Sequence, residues 1–354
     1  MIRRTNLGTV ARLQIDESGR FNYMFIAFGA SIAGIHYMRR VVDVDGTFLH
    51  GSYKGTLLIA IAQDGNFQIF PLAFGVVDTE NDESWRWFFT QLKVVIHGAT
   101  DLAIISDRHQ SIGKAIGEVY PLAARGICTY HLYKNILLKF KGKHLFSLVK
   151  KAARCYRRTD FDDAFNEIEE RDPQLHAYLE RAGVEIINEK STVKSQKSSH
   201  SLTVRSDKTD DDKMERVTTS RLMDVQTIDA FRVQVTYGTS LHVVNVDAKK
   251  CTFHLFEKEK LPCIHSIAAA EHMGVSRISQ CSAYYTSNYF VNAYAGAIMP
   301  SDTKVHVPVI VIDQPCLPPI VVNQPDWPKK LRMKSALEVA VENKRPRKEH
   351  GCSR

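Results

Sequence analysis

The chain has 354 residues, of which 44% are hydrophobic and 24% charged, and its formal net charge is +8. This composition predicts a soluble globular protein long enough for two domains, with neither a signal peptide nor the roughly 18-residue apolar run of a membrane span. The positive charge favours nucleic acid as the partner, and seven scattered cysteines indicate reduced thiols in an intracellular protein rather than a disulfide framework.

The first domain is predicted to open with strands joined by tight turns. An aromatic-rich strand over 21–29 precedes the run Val41–Asp45, in which valine and aspartate alternate. Two apolar runs follow at 56–62 and 67–77, and Asp64-Gly65-Asn66 between them is a good hairpin signal. Two interpretations of Val41–Asp45 stay open: an exposed edge strand, or a strand whose carboxyl end binds a ligand.

Helices and strands then alternate. The predicted elements are a helix over 85–92, a strand over 102–105, a helix over 111–119 and a strand over 125–130. Ser84 or Asp82 is the expected N-cap of the first helix. The order β-β-β-α-β-α-β predicts a mixed sheet with helical crossovers.

Residues 131–179 are predicted to be helical, with a break at Pro173. Lysines alternate with apolar residues in the first half of this region: Lys134, Lys139, Lys141, Lys143, Lys150 and Lys151. A phosphate-facing surface and a solvated amphipathic face are both open interpretations of this pattern.

The second half of the chain contains a linker, a small module and a tail. Residues 188–216 are rich in Ser, Lys and Asp and indicate a low-complexity linker. Strands over 228–235 and 241–246 are predicted to form a hairpin around Tyr237-Gly238-Thr239. Beyond residue 300, prolines and basic runs indicate an extended cationic tail.

Two aspartates are the candidate catalytic pair. Asp45 ends one apolar run and Asp107 follows another, and the predicted order places their strands side by side. Carboxylates that converge at strand ends can hold Mg²⁺, and two such ions stabilise the attacking and leaving oxygens of a phosphodiester. A third acid normally completes such a site, and its identity stays unknown.

Cysteine and histidine residues form a second constellation. The two pairs are Cys251 with His254 and Cys263 with His265. This donor set suits a tetrahedral structural zinc, and the alternative is scattered cysteines with surface histidines. Cys128 and His131 form a third pair, which we interpret as a buried cysteine beside a histidine at a helix N-terminus.

Several motifs resemble those of plant Mutator-like (MULE) transposases. The segment Asp45–Leu92, beginning DGTFLHGSYKG, resembles the central domain of that family, and ISDRHQSI (105–112) and CTYHLYKN (128–135) match its next two blocks in order and spacing. The resemblance covers roughly 1–180 and 217–300. It implies a ribonuclease H-like fold, DDE-type DNA cleavage and strand transfer, DNA as the partner and a nuclear location.

The resemblance also assigns roles to individual residues. It makes Asp45 and Asp107 the first two catalytic acids and the Cys128–His131 pair the Cys-x-x-His of the family, near the site. The block that carries the family's catalytic Glu is absent, and the linker takes its place. Glu185, Glu189 and the cluster Asp210–Asp212 substitute for it only in residue type.

The SWIM zinc finger of this family has the pattern Cys-x-Cys, a spacer and Cys-x-His. Three positions match it, namely Cys251, Cys263 and His265. Phe253 stands where the second cysteine belongs, so His254 is the substitute nearest in sequence for the fourth zinc ligand. The segment 351–354, with Cys352, resembles the start of a C-terminal Cys-x-x-Cys knuckle.

Together these patterns predict an α/β protein, with a ribonuclease H-like mixed sheet, a helical insertion and a small β-hairpin and zinc-finger module. The expected divisions are an N-terminal segment (1–38), the transposase domain (39–135), a helical segment (136–187), the linker (188–216), the SWIM-type region (217–300) and a basic tail (301–354). We expect a transposase-derived DNA-binding protein that is defective in DDE-type cleavage. An active Mg-dependent transposase and a non-functional gene relic are the alternatives, and the oligomeric state is left open.

Overall fold

A computed structural model describes residues 2–50, 54–66, 68–98, 100–140, 143–155, 157–181, 216–300 and 316–319, without the side chains of 129 and 143–146. The linker carboxylates at 185, 189 and 210–212, most of the basic tail and Cys352 lie outside this range. Within the described residues, no helix combines the length and apolar character needed to cross a bilayer.

A seven-stranded mixed sheet forms the centre of the first half. Its strands are β1 (Val10–Ile15), β2 (Phe21–Ala27), β3 (Val41–Phe48), β4 (Thr56–Gln63), β5 (Ile69–Val77), β6 (Ala103–Ser106) and β7 (Ala124–Ile127). They lie in the order β1-β2-β5-β4-β3-β6-β7. The pairs β3–β6 and β6–β7 are parallel and the other neighbours are antiparallel. The sheet thus extends into the N-terminal segment, because β2 pairs with β5.

The strand β3 lies in the interior of this sheet, between β4 and β6. Val42 and Val44 pack in the main hydrophobic core, while Val41 on the other face packs against Ile105 and Cys128. The interpretation of this stretch as an exposed edge strand is therefore wrong, since both of its faces are covered. Asp43, in the middle of the strand, is only 7% exposed.

Four helices accompany the sheet: α1 (Ile2–Thr5), α2 (Gly29–Gly34), α3 (Asp82–Val95) and α4 (Gln110–Val119). The apolar face predicted for α3 is buried, including Trp85 and Phe88. Its N-cap is Asn81 rather than Ser84 or Asp82, because the Asn81 side chain accepts from Ser84 N while Ser84 Oγ accepts from Asn81 N. This reciprocal capping box satisfies two backbone donors that the helix itself leaves unpaired.

Four further helices follow β7 and bury a separate hydrophobic cluster. They are α5 (Thr129–Phe140), α6 (Lys143–Ala153), α7 (Arg158–Arg171) and α8 (173–181). The break predicted at Pro173 is confirmed, since α7 ends before it and α8 begins with it. The strand predicted over 125–130 is too long, because β7 ends at Ile127 and residues 129–130 form the first turn of α5.

The second half contains a small four-stranded antiparallel sheet with short helices. Its elements are α9 (216–220), β8 (Asp224–Thr227), β9 (Arg232–Tyr237), β10 (Ser240–Asn245), β11 (Lys250–Cys251), α10 (Leu255–Glu259), α11 (Ile264–His272), α12 (Arg277–Gln280) and α13 (Ser287–Ala293). The strands lie in the order β11-β10-β9-β8.

The predicted hairpin of this sheet is present, and it turns at Gly238, whose φ of 58° suits glycine. The first strand of the hairpin begins at Arg232 rather than at Ile228. Residues 228–231 form a turn instead, in which the Asp229 carboxylate accepts from the backbone N of Phe231 and of Arg232. Such Asx turns compete with strand pairing.

Residues 283–294, which we call the docking segment, connect the small module to the large sheet. The Tyr294 hydroxyl donates to Asp64 Oδ2 at 3.0 Å, at the β4–β5 turn. The rings of Tyr289 and Tyr37 meet edge to face, with centroids 5.3 Å apart. The docking segment therefore packs against the β4–β5 turn and Tyr37, at one end of the strands.

Candidate functional site: an acidic strand end and a buried thiol cluster

The parallel pairing of β3 and β6 fixes the position of the two candidate catalytic aspartates. Asp43 pairs with Ile105, and two further residues along each strand bring Asp45 level with Asp107. The predicted adjacency of these strands is confirmed. Because the two strands run in the same direction, both carboxylates lie at the same edge of the sheet, where α/β proteins bind ligands.

Both aspartate side chains are partly exposed, and each accepts a local backbone hydrogen bond. Asp45 Oδ1 accepts from Gly46 N at 3.0 Å, and Asp107 Oδ1 accepts from His109 N at 2.9 Å. Half of the Asp45 side chain is exposed. These bonds engage Oδ1 of each carboxylate.

Glu80 is a third acid at this edge, and the sequence reasoning missed it. A Cβ atom at Gly46 would lie 2.2 Å from Glu80 Oε1, so the carboxylate sits directly over that glycine. Burial raises the pKa of Glu80, and the negative charges of Asp107 and Asp45 raise it further, while His109 lowers it. Glu80 comes from the loop between β5 and α3, a stretch that the sequence marked only as a helix cap.

His131 and Cys128 also belong to this edge. His131 Nε2 lies 3.9 Å from Asp45 Oδ2. The hydrogen bond with Cys128 is the largest cause that raises the pKa of His131; burial lowers it, and Asp45 and Asp107 raise it. His131 of the Cys-x-x-His pair thus lies beside Asp45, and Cys128 is buried as expected. No catalytic role follows from this contact alone.

Of the lysines predicted to face phosphate, Lys141 and the side chain of Lys143 lie outside the described part of the chain, and the others lie on α5 and α6. Lys139, Lys150 and Lys151 are exposed. Lys134 is partly exposed, and its Nζ lies 4.4 Å from the centroid of the Tyr130 ring. Lys151 Nζ is 2.6 Å from Glu167 Oε2, so part of this charge is neutralised within the protein. His131 and Lys139 are eight residues apart on one helix, about 12 Å along its axis.

Three of the four predicted zinc ligands converge in the small module. The side chains of Cys251, Cys263 and His265 are buried, and their ligand atoms all lie within 4.8 Å of one another. His265 Nδ1 is 4.0 Å from Cys251 Sγ and 3.8 Å from Cys263 Sγ. Zinc–sulfur bonds of about 2.3 Å and zinc–nitrogen bonds of about 2.0 Å set tetrahedral ligand atoms roughly 3.5–3.8 Å apart. The donor set and its spacing therefore fit zinc.

The pKa values of the two thiols shift in opposite directions. The hydrogen bond with Cys263 and burial raise the pKa of Cys251, whereas the bond from Cys251 lowers the pKa of Cys263. Ser266 N lies 3.4 Å from Cys263 Sγ at the N-cap of α11, where the helix dipole also favours a thiolate. Of the two thiols, Cys263 is the one whose thiolate form these contacts favour.

The structure does not bring His254 to these three residues. His254 has a left-handed backbone conformation (φ 64°), its side chain is 55% exposed, and Nδ1 lies 3.9 Å from Glu257 Oε1. Phe253 instead packs its ring toward the cluster, 5.3 Å from the ring of His265. The residue nearest in sequence to the missing cysteine thus points toward solvent.

His242 lies beside the cluster and was also missed by the sequence reasoning. It is 6% exposed, and its ring centroid is 4.1 Å from that of His265. Its Nδ1 lies 3.3 Å from Thr252 Oγ1. Burial lowers the pKa of His242, and the neighbouring His265 lowers it further, which favours neutral imidazole. No sequence signal marks this residue, because it comes from the opposite strand.

Comparison with known proteins finds similarity in the part of the chain from β3 to α5. Residues 41–135 match the family model described as the MULE transposase domain. The chain is 22% identical over 148 residues to Protein FAR1-RELATED SEQUENCE 6 of Arabidopsis thaliana, which is 42% of this chain and 21% of that protein. It is 32% identical over 108 residues to the Transposase for insertion sequence element ISRM5 of Rhizobium meliloti (strain 1021), which is 30% of this chain and 26% of that protein. The chain thus spans only about a fifth to a quarter of these two relatives.

Proposed function

Since this chain carries a MULE transposase domain at residues 41–135, we propose that it is a transposase-derived DNA-binding protein of the nucleus. In this proposal it lacks efficient DDE-type cleavage and strand transfer, and it carries a SWIM-like zinc module. The observation that carries the proposal is the acidic edge at Asp45 and Asp107, from which the lysine-bearing helix α5 extends.

The order of the strands supports a ribonuclease H-like fold for this domain. The antiparallel strands β5, β4 and β3 are followed by β6 and β7, both parallel to β3. Asp45 and Asp107 then lie at neighbouring strand ends, as the MULE resemblance implies for the first two catalytic acids.

The charge distribution supports DNA binding. Lys139, the first exposed lysine of α5, lies about 12 Å along the helix axis from His131 at the acidic edge. This distance corresponds to a few nucleotides of DNA. A duplex held by these lysines would bring a phosphate near Asp45. Binding through such contacts is electrostatic and falls as salt displaces it.

DNA binding is tested on the full chain with a labelled duplex titrated at several salt concentrations. Each phosphate contact should contribute about −0.9 to the slope of log affinity against log salt. The double variant Lys139→Gln/Lys150→Gln should flatten this slope by about 1–2. The control Arg4→Gln/Arg12→Gln removes the same charge near the opposite edge of the sheet and should leave the slope unchanged. Absence of binding at low salt, or equal effects of both variants, would contradict the proposal.

A second candidate function, metal-dependent DNA cleavage, is favoured by Glu80. Its carboxylate lies against Gly46, and the nearby charges of Asp45 and Asp107 raise its pKa. Such mutual repulsion between oxygen donors suits a divalent cation, and Asp45, Asp107 and Glu80 would be the residues to hold Mg²⁺. Bound Mg²⁺ would stabilise charge on phosphate oxygens, while the aspartates orient the ion and the lysines hold the DNA backbone.

Nicking of supercoiled DNA in the presence of Mg²⁺ or Mn²⁺ separates the two candidates. The first proposal expects the unmodified chain to nick no faster than Asp107→Asn. If the unmodified chain nicks DNA faster than Asp107→Asn, and Glu80→Gln nicks no faster than Asp107→Asn, metal-dependent cleavage replaces the first proposal. Retained DNA binding in both variants is the control that keeps loss of binding from imitating loss of cleavage.

The zinc module is the third part of the proposal. Cys251, Cys263 and His265 supply two thiolates and one imidazole, which are zinc's preferred donors. Zinc would hold β11 to the N-terminus of α11, because the two thiols come from these elements. Elemental analysis of the purified full chain should find one zinc per molecule, and less than a tenth would contradict this part.

A further inference from the structure

We propose that His242 supplies the fourth ligand of the zinc site, in place of the cysteine whose position Phe253 occupies. This inference rests on the zinc module proposed above and extends it by one residue from a different strand. The ligand would be Nε2 of His242, so the site would hold two sulfurs and two nitrogens.

Strand pairing places His242 next to the missing cysteine. Val244 pairs with Cys251 across β10 and β11, and two further residues along set His242 opposite Phe253. Backbone pairing continues in this direction, since Thr252 N donates to Val243 O at 3.0 Å. Residues directly opposite on antiparallel strands project from the same face with neighbouring Cβ atoms. His242 therefore shares the face of Cys251 and lies beside the side chain at position 253.

Ring contacts agree with this placement. The His242 ring lies 5.4 Å from the Phe253 ring and 4.1 Å from the His265 ring, measured between centroids. His265 is itself in contact with both thiols. His242 lies just outside the group whose ligand atoms are within 4.8 Å of one another, so metal binding would have to draw its ring toward the other three ligands. The Phe253 ring then covers the ligands from solvent.

The other ring nitrogen of His242 already has the kind of partner that zinc-binding histidines use. Its Nδ1 lies 3.3 Å from Thr252 Oγ1, which also accepts from Val243 N at 3.1 Å. Zinc-ligating histidines almost always donate their second N–H to an oxygen, which fixes the tautomer and the ring orientation. The hydroxyl oxygen can accept both bonds, leaving Nε2 as the free donor atom for metal.

Cobalt substitution of the full chain tests the fourth ligand directly, because Co²⁺ absorption reports the number of thiolates and the coordination geometry. The unmodified chain should give the spectrum of a tetrahedral two-sulfur, two-nitrogen site. In His242→Ala the ligand-field bands should weaken as a water replaces the imidazole. Zinc affinity in a chelator competition should fall about 100-fold or more, beyond the range typical of an outer-shell change. The matched control His254→Ala should keep both spectrum and affinity.

The variant His242→Cys covers the case in which His242→Ala fails to fold. It should strengthen the thiolate-to-cobalt charge-transfer absorption, because a third sulfur joins the site. An unchanged cobalt spectrum and zinc affinity in His242→Ala, or no added charge transfer in His242→Cys, would overturn the role of His242. Failure of the unmodified chain to bind either metal would instead overturn the zinc module itself.

Discussion

Gly46 controls where the Glu80 carboxylate can lie. A methyl group at this position would lie 2.2 Å from Glu80 Oε1, so alanine must displace that side chain from Asp45 and Asp107. The displaced atoms belong to the end of a side chain rather than to backbone, so Gly46→Ala should cost about 1 kcal/mol or less of stability. The pKa of Glu80 should fall toward its ordinary value, because both burial and the negative neighbours are lost.

Carbon-13 NMR titration of the glutamate carboxyls measures this change. Gly117→Ala is a matched control, since a methyl group there meets no atom within 4 Å. A Glu80 pKa that is equally raised in Gly46→Ala and in the unmodified chain would show that another interaction holds the carboxylate.

His131 responds more to Cys128 than to the acids. Because the hydrogen bond with Cys128 is the largest cause that raises the pKa of His131, Cys128→Ala should lower this pKa more than Asp45→Asn does. Thermodynamic linkage between protonation and folding gives the direction in which this raised pKa changes stability with pH. A histidine with a raised pKa contributes stability that is fully present below its unfolded pKa of about 6.5 and is lost as pH rises through the folded pKa. Proton NMR titration of the His131 ring in the unmodified chain, Cys128→Ala and Asp45→Asn measures the three pKa values. A larger decrease in Asp45→Asn than in Cys128→Ala would show that Asp45, rather than Cys128, is the main cause of the raised pKa.

At the scale of elements, apolar runs predicted the interior strands, and edge strands gave weaker signals. β4 and β5 are buried and apolar, whereas β1 and β8 are exposed edge strands with polar residues, and the sequence did not reveal them. The ends of elements depend on side-chain bonds, as at Asn81, and these cannot be ranked from residue types alone. The first turn of α5 has strand-like residues, and tertiary packing overrides that preference.

The sequence could predict part of each site. Asp45, Asp107, Cys251, Cys263 and His265 stand in motifs, and so they could be named in advance. Glu80 and His242 stand in none, because each reaches its site from a different loop or strand. Their proximity is a property of register and packing, which a single sequence does not contain. The direction in which His254 points depends on its positive φ, which is likewise not readable from the sequence.

Tyr285 ties the docking segment to α10 and makes this contact sensitive to alkaline pH. Its hydroxyl donates to Glu259 O at 2.7 Å, and burial raises the pKa of Tyr285 to about 12. The folded state therefore favours the protonated phenol, so the stability it contributes is present below the unfolded pKa of about 10 and is lost as pH rises to 12. A two-unit shift corresponds to about 2–3 kcal/mol.

Tyr285→Phe should be about 1 kcal/mol less stable at pH 8, because one buried hydrogen bond is lost. Between pH 9 and 11.5 its stability should fall less steeply than that of the unmodified chain, because the variant has no phenol to ionise there. Urea unfolding across this range measures both effects. Parallel pH curves for the two proteins would exclude Tyr285 as the titrating group.

At the scale of the whole molecule, the docking segment connects the small module to the large sheet. Gly65, in the β4–β5 turn, lies under the backbone of this segment, and a Cβ atom there would be 2.1 Å from Tyr284 O. Since the blocking atom is backbone, Gly65→Ala must push the segment away rather than rotate a side chain. The edge-to-face contact of Tyr289 with Tyr37 and the bond of Tyr294 to Asp64 are then strained or lost.

We therefore expect Gly65→Ala to cost about 1–3 kcal/mol, the usual range for overpacking a well-packed contact. The loss should be largest in the docking segment, because most buried members of the main core come from the sheet and its own helices, while the docking segment contributes Ala293. Hydrogen exchange of the full chain should show faster exchange at 283–294, with protection in β3, β4 and β6 unchanged. Gly117→Ala, with free space around its methyl group, should leave both regions as they are. Equal protection of the docking segment in Gly65→Ala would mean that the contact at Tyr284 does not hold the two parts together, and faster exchange throughout the sheet would mean that they unfold as one unit.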